Sequence, residues 1–159
     1  MKNYRCLSKF PSNIEMQSLQ VLNFSGCCKL KKFPEVKGNM ERLAKLYLDG
    51  TDIEQLPLSI ERLTDLDLLN LNNCKSLISL PSSFCDLNSL KTLTVSGCLK
   101  LGKLPEQLGN VECLEELDMS GTTIRMMAQD LTVIDQQILY SCKPLQMIKE
   151  WKDRDYARE

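Results

Sequence analysis

Five stretches beginning at Leu19, Leu43, Leu66, Leu90 and Leu114 repeat the pattern LxxLxL at an interval of 23 or 24 residues. A fixed period of that length restricts a chain to a stacked, solenoidal architecture. The apolar positions are Leu19, Leu22 and Phe24 in the first stretch, then Leu43, Leu46 and Leu48; Leu66, Leu69 and Leu71; Leu90, Leu93 and Val95; and Leu114, Leu117 and Met119. An apolar anchor follows each, at Leu30, Ile53, Leu77, Leu101 and Ile124. Proline stands four residues beyond the first four anchors, at Pro34, Pro57, Pro81 and Pro105, and Ala128 takes the fifth slot. Leu7, Phe10 and Pro11 read as the back half of an earlier repeat.

Within each LxxLxL stretch apolar and polar positions alternate, the period-2 pattern of a strand with one buried face. Every repeat travels the same circuit, so consecutive strands must run parallel, about 4.8 Å apart. No repeat can bury its own apolar face, and the core must be a continuous column of leucine, isoleucine, valine and phenylalanine shared between neighbours. The return segments, such as residues 58–62 and 82–86, are too short for full helices and predict single turns, capped or bent by the prolines.

A sharp turn must follow each strand, and small residues stand there in register: Ser25, Gly26, Cys27; Asp49, Gly50, Thr51; Asn72, Asn73, Cys74; Ser96, Gly97, Cys98; and Ser120, Gly121, Thr122. Glycine, or Asn73 in the third repeat, suits a backbone that requires positive φ. The following Cys27, Thr51, Cys74, Cys98 or Thr122 has a short polar tip that can reach a turn carbonyl while filling a buried slot. The repeats with cysteine are one residue longer at this point than those with threonine.

The recurrence of Cys27, Cys74 and Cys98 at equivalent positions is a packing pattern, so the expectation is reduced, buried thiols; Cys6, Cys85, Cys113 and Cys142 are left undecided. With no histidine and no CxxC the chain lacks the usual makings of a zinc site and of any Ser-His or Cys-His nucleophile pair. No phosphate-binding glycine loop is present either. The expectation is therefore a binding protein, with no cofactor and no metal. At 159 residues it is one domain by length. There is no apolar run of membrane-spanning length and no signal-like apolar core near Met1, which predicts no membrane contact and a cytoplasmic location, with nuclear entry open.

Charge is polarised along the chain. Residues 1–45 hold nine Lys or Arg against three Glu, and the remainder holds eleven basic and eighteen acidic residues. Lys29, Lys31, Lys32 and Lys37 have no accompanying aromatic stacking platform, so they read as a solvated surface and nucleic acid is not expected as a partner.

Strand residues that alternate with the leucines face the concave side, where a partner would meet them. One column across the repeats is Val21, Lys45, Leu68, Thr92 and Glu116; the next is Asn23, Tyr47, Asn70, Thr94 and Asp118; the third is Ser25, Asp49, Asn72, Ser96 and Ser120. The candidate protein-binding residues on this face are Lys45, Tyr47, Asp49, Leu68, Asn70, Asn72, Thr92, Thr94, Glu116 and Asp118. Tyr47, Leu68 and Lys45 combine an aromatic, an aliphatic and a cation in adjacent repeats, a composition found at interface centres. Read without a partner, the same columns are solvated strand residues.

Two repeat types alternate: the cysteine type, as in residues 90–106, and the DGTxIxxLPxSI type, as in residues 43–60. Together with the Gly38, Asn39, Met40, Glu41 and Gly109, Asn110, Val111, Glu112 segments they resemble the leucine-rich repeat domain of plant intracellular immune receptors, especially the class with a Toll/interleukin-1 receptor-like N-terminal domain. The resemblance covers residues 7–128. It implies an α/β fold, a leucine-rich repeat solenoid or horseshoe arc, with short parallel strands on the concave face and turns or short helices on the convex face. In that family the repeats follow a nucleotide-binding switch domain, restrain the receptor and help to recognise a pathogen effector or a modified host protein. The implied partners are thus proteins: an effector or host protein, and the nucleotide-binding domain of a parent receptor. Nucleotide binding and NADase activity belong to modules whose residues this sequence does not contain, and they are not carried over.

The pattern departs from the family at both ends. It begins inside a repeat, which predicts a fragment of a longer receptor of about five and a half repeats over residues 1–128. After Ala128 the motif is lost; residues 129–159 carry helix-like apolar spacing at Leu131, Ile134, Ile138 and Leu139 and again at Leu145, Ile148 and Trp151. That tail is either a helical cap or out-of-family sequence, and the second is favoured. Two rival readings of the chain are a stand-alone intracellular repeat scaffold, against which the alternating Cys and Thr turns weigh, and a truncated, nonfunctional gene product.

Overall fold

The computed structural model describes residues 13–14, 18–37, 40, 42–105, 108, 111 and 113–124. The Leu7, Phe10, Pro11 half-repeat and the tail at 129–159 lie outside the described residues, as do Cys6 and Cys142. In chain order the strands are β1 (Asn13–Ile14), β2 (Val21–Asn23), β3 (Glu35–Val36), β4 (Lys45–Tyr47), β5 (Leu68–Asn70), β6 (Thr92–Thr94) and β7 (Glu116–Asp118). Single 3₁₀ turns at Leu58–Arg62 and Ser82–Asp86 separate β4 from β5 and β5 from β6.

Each LxxLxL stretch supplies one three-residue strand centred on its second leucine, and these form an open five-stranded parallel sheet in the order β2-β4-β5-β6-β7. The register sets Leu22, Leu46, Leu69, Leu93 and Leu117 side by side. The pairing continues beyond the strands. Ahead of them, one carbonyl takes two N–H groups of the next repeat, as Gln20 accepts from Ala44 and Lys45 at 2.9 and 3.0 Å. After them, Gly26 donates to Asp49, Gly50 to Asn72, Asn73 to Ser96 and Gly97 to Ser120, all at 2.7–2.8 Å. The turns therefore stack as regularly as the strands.

Behind the sheet the apolar rows pack as the period requires. Leu43, Leu66 and Leu90, the central leucine row from Leu46 to Leu117, and the anchors Ile53, Leu77 and Leu101 are excluded from solvent. Each such leucine contributes about 1.5–3 kcal/mol by leaving water. Phe24 meets Phe33 edge-on at 6.4 Å between ring centroids, closing the first repeat's core.

The return segments behave as the prolines foretell: Pro57 and Pro81 stand at φ −69° and −68° just ahead of the 3₁₀ turns, and Ile60 and Phe84 point inward. The first return segment is different. Glu35–Val36 stays extended and pairs in parallel with Asn13–Ile14, giving a second, two-stranded sheet, and Lys32, Gln55 and Ser79 form a row of parallel bridges on the same returning path. The Ser59 hydroxyl of the next repeat accepts from the Val36 N–H at 2.9 Å and donates to the Glu35 carboxylate at 2.5 Å, which holds that extended piece in place.

Candidate protein-interaction surface

The turn chemistry fixes the far edge of the exposed sheet face. Glycines 26, 50, 97 and 121 and Asn73 all lie at positive φ, between 58° and 74°, as the sequence requires of them. Beneath them runs a buried polar ladder. The Thr51 hydroxyl donates to the Leu48 carbonyl at 2.7 Å, and the Cys74 thiol reaches back across the repeat boundary to the same carbonyl at 3.1 Å. Cys98 does likewise to Leu71 at 3.1 Å, and Thr122 bonds Met119 within its own repeat at 2.8 Å. Threonine thus closes its own turn while these cysteines link neighbouring repeats. The hydrogen bond with Cys74 and burial push the Cys98 thiol well above its ordinary value. Among the described cysteines, Cys27, Cys74 and Cys98 are buried, Cys85 is half-buried, and Cys28 and Cys113 are exposed. Among the described residues no group of three or more metal-ligating side chains converges.

Two of the three columns read from the sequence are columns of the sheet: Lys45 pairs with Leu68, Leu68 with Thr92 and Thr92 with Glu116, while Tyr47, Asn70, Thr94 and Asp118 form the next row; the third lies in the turns beyond the strands. These ten candidates divide into two groups. Asn70 Oδ1 accepts from the Asn72 N–H at 3.0 Å and from the Thr94 hydroxyl at 3.0 Å, and Asn72 Oδ1 accepts from the Ser96 N–H at 2.9 Å. Asp118 Oδ1 accepts from the Ser120 N–H at 2.9 Å, and Asp49 Oδ1 accepts from the Ser25 hydroxyl at 2.6 Å. Asn70, Asn72, Thr94, Asp118 and Asp49 therefore brace the turns, as short polar side chains do where a backbone N–H lies two residues ahead or in the next repeat.

The second group makes no side-chain hydrogen bond or ion pair among the described residues. Lys45 and Glu116 are exposed, and Tyr47, Leu68 and Thr92 are half-buried. Val21 extends the row at 49% exposure. One pair escaped the sequence reading: Lys91 Nζ lies 3.9 Å from Asp67 Oδ1, on the edge where the chain approaches β6 and β5. Reading the residue just before each strand as a column of its own would have found it. Both groups are well exposed, so the pair contributes little stability but neutralises two charges beside the face.

A model of the leucine-rich repeat region family matches residues 3–137, and the chain belongs to that family. It is similar to plant disease resistance proteins. Disease resistance protein RPP2A of Arabidopsis thaliana is 40% identical over 82 residues, which make up 52% of this chain and 6% of that one. Disease resistance protein RPS6 of the same plant is 41% identical over 76 residues, 48% of this chain and 6% of that one. The chain therefore matches only a small part of the length of these relatives. Among solved structures, a leucine-rich repeat protein of Leptospira interrogans superposes with a TM-score of 0.59 at 22% identity, over 80% of this chain and 37% of that one. The leucine-rich repeat domain of the type III effector XopL gives 0.57 at 24% identity, over 76% and 51%. At these identities the likeness is one of fold.

Proposed function

We propose that this chain is the protein-recognition and regulatory part of a plant innate immune receptor, that it binds and does not catalyse, and that the exposed face of the five-stranded sheet is its contact surface. The observation that carries the reading is the division of that face: five polar residues brace the turns, whereas the side chains of Lys45, Tyr47, Leu68, Thr92 and Glu116 make no hydrogen bond or ion pair among the described residues. Similarity to Arabidopsis disease resistance proteins supports the setting. The lack of any histidine supports recognition over chemistry, because the commonest acid-base and nucleophile-activating side chain is missing.

On this reading the repeats occupy residues 1–128, residues 129–159 are a separate tail, and the protein works in the cytoplasm or nucleus. A pathogen effector or modified host protein contacts the sheet face, and the repeats restrain a nucleotide-binding domain until it does. Such a ligand must bind the released state better than the restrained one. The test compares proteins recovered from leaf tissue with the wild-type chain and with the Tyr47→Ala, Lys45→Glu double variant. Both positions are solvent-accessible, so the variant should fold. Loss of a specific partner supports the assignment; a partner retained at equal yield places recognition elsewhere on the molecule.

A further inference from the structure

We infer that the sheet face takes a short extended polypeptide segment of mixed charge, laid across the strands, with an acidic side chain over Lys45, an apolar one over Tyr47 and Leu68, and a basic one over Glu116 and Asp118. The inference rests on the reading of this face as the recognition surface and adds the chemistry of its partner.

Lys45, Leu68, Thr92 and Glu116 occupy one continuous register row, so the sign of the side chains runs from cationic through apolar and hydroxylic to anionic across four adjacent strands. Three strand spacings separate Lys45 from Glu116, about 14 Å, which an extended chain rising about 3.3 Å per residue crosses in four or five residues. Each strand is three residues long, so the face is about 10 Å wide, the breadth of a single extended chain with its side chains. The charges along the row are not compensated from within. Lys45 and Glu116 make no ion pair among the described residues, whereas the neighbouring Lys91 and Asp67 neutralise each other. Asp118 accepts a backbone N–H, which leaves its charge in place beside Glu116. A partner of uniform charge would be repelled at one end of the row. One of mixed charge is attracted at both, and like-charge contacts are what an interface excludes most effectively.

The experiment titrates the isotopically labelled full chain with two capped peptides, Asp-Gly-Leu-Ser-Gly-Arg and Arg-Gly-Leu-Ser-Gly-Arg, while amide shifts are followed by nuclear magnetic resonance, which reads millimolar affinities. The mixed-charge peptide is expected to shift amides of β4 to β7 saturably and to bind at least fivefold more tightly than the dibasic one. The Lys45→Glu variant, which gives the row an anion at each end, should invert that preference. Equal affinity for the two peptides, a preference unchanged by Lys45→Glu, or no saturable shift with either peptide overturns the inference. If both peptides bind equally and Tyr47→Ala abolishes binding, only the charge chemistry fails and the face remains the recognition surface. If the partner recovered from leaf tissue ignores the Tyr47→Ala, Lys45→Glu variant, the underlying reading fails with it.

Discussion

Asn73 holds the left-handed backbone at φ 58° where every equivalent turn uses glycine, and it does so under constraint, since its N–H donates to Ser96 and its carbonyl accepts from Lys75. Left-handed geometry costs an ordinary L-residue roughly 1–2 kcal/mol, less for asparagine and nothing for glycine. Asn73→Gly should therefore leave the urea midpoint unchanged or raised, whereas Asn73→Ala lowers stability by about 1–2 kcal/mol, the reverse of the usual preference for alanine. Gly26→Ala isolates the same backbone cost, because a Cβ there meets no atom within 4 Å and φ is +74°. Gly102→Ala, with neither positive φ nor a close neighbour, is the neutral control.

At the scale of the element, a strand is three residues long and owes its place to what lies on either side of it. Leu93, at the centre of β6, is wholly excluded from water between Leu69 and Leu117, so Leu93→Ala should cost about 2–5 kcal/mol. Leu22, at the centre of β2, is 9% exposed and has one strand neighbour in the described sheet, so the same change there should cost less. Denaturant titration of the two variants measures the difference, and equal costs would show that burial at the sheet margin is not graded. Strand placement, the 3₁₀ turns after Pro57 and Pro81, and the positive-φ sites were legible because each repeat states them again in the same register. The extended pairing of Glu35–Val36 with Asn13–Ile14 was not, because it occurs once and depends on Ser59, a residue of the next repeat, to bind both Val36 and Glu35. The candidate face was legible as columns. The structural duty of Asn70, Asn72 and Asp118 within it was not, because an alternating pattern shows which side chains leave the core but not which bend back to the backbone.

The described repeats form a quasi-one-dimensional array: each packs on its neighbours in the sheet, and stability is close to a sum of local terms and nearest-neighbour terms. Leu48, Leu71 and Val95 are fully buried, while Phe24 and Met119, at the two margins of the same row, retain 7% and 8% exposure. Backbone amides of β5, which is bonded on both sides, should accordingly exchange most slowly with solvent, and those of β2 and β7 fastest, the margins opening without the centre. A core truncation at Leu69 should alter this profile in a way that a globular core would not. Because Leu69 lies between β4 and β6, Leu69→Ala weakens two interfaces at once and should convert the single central maximum of protection into two lower maxima, one in each flanking pair of repeats. Hydrogen exchange read amide by amide in the wild type and this variant distinguishes the cases. A uniform fall in protection along the chain would mean that the array unfolds as one unit, with coupling between repeats strong enough that a ligand held at Lys45 and Glu116 is felt over the entire solenoid.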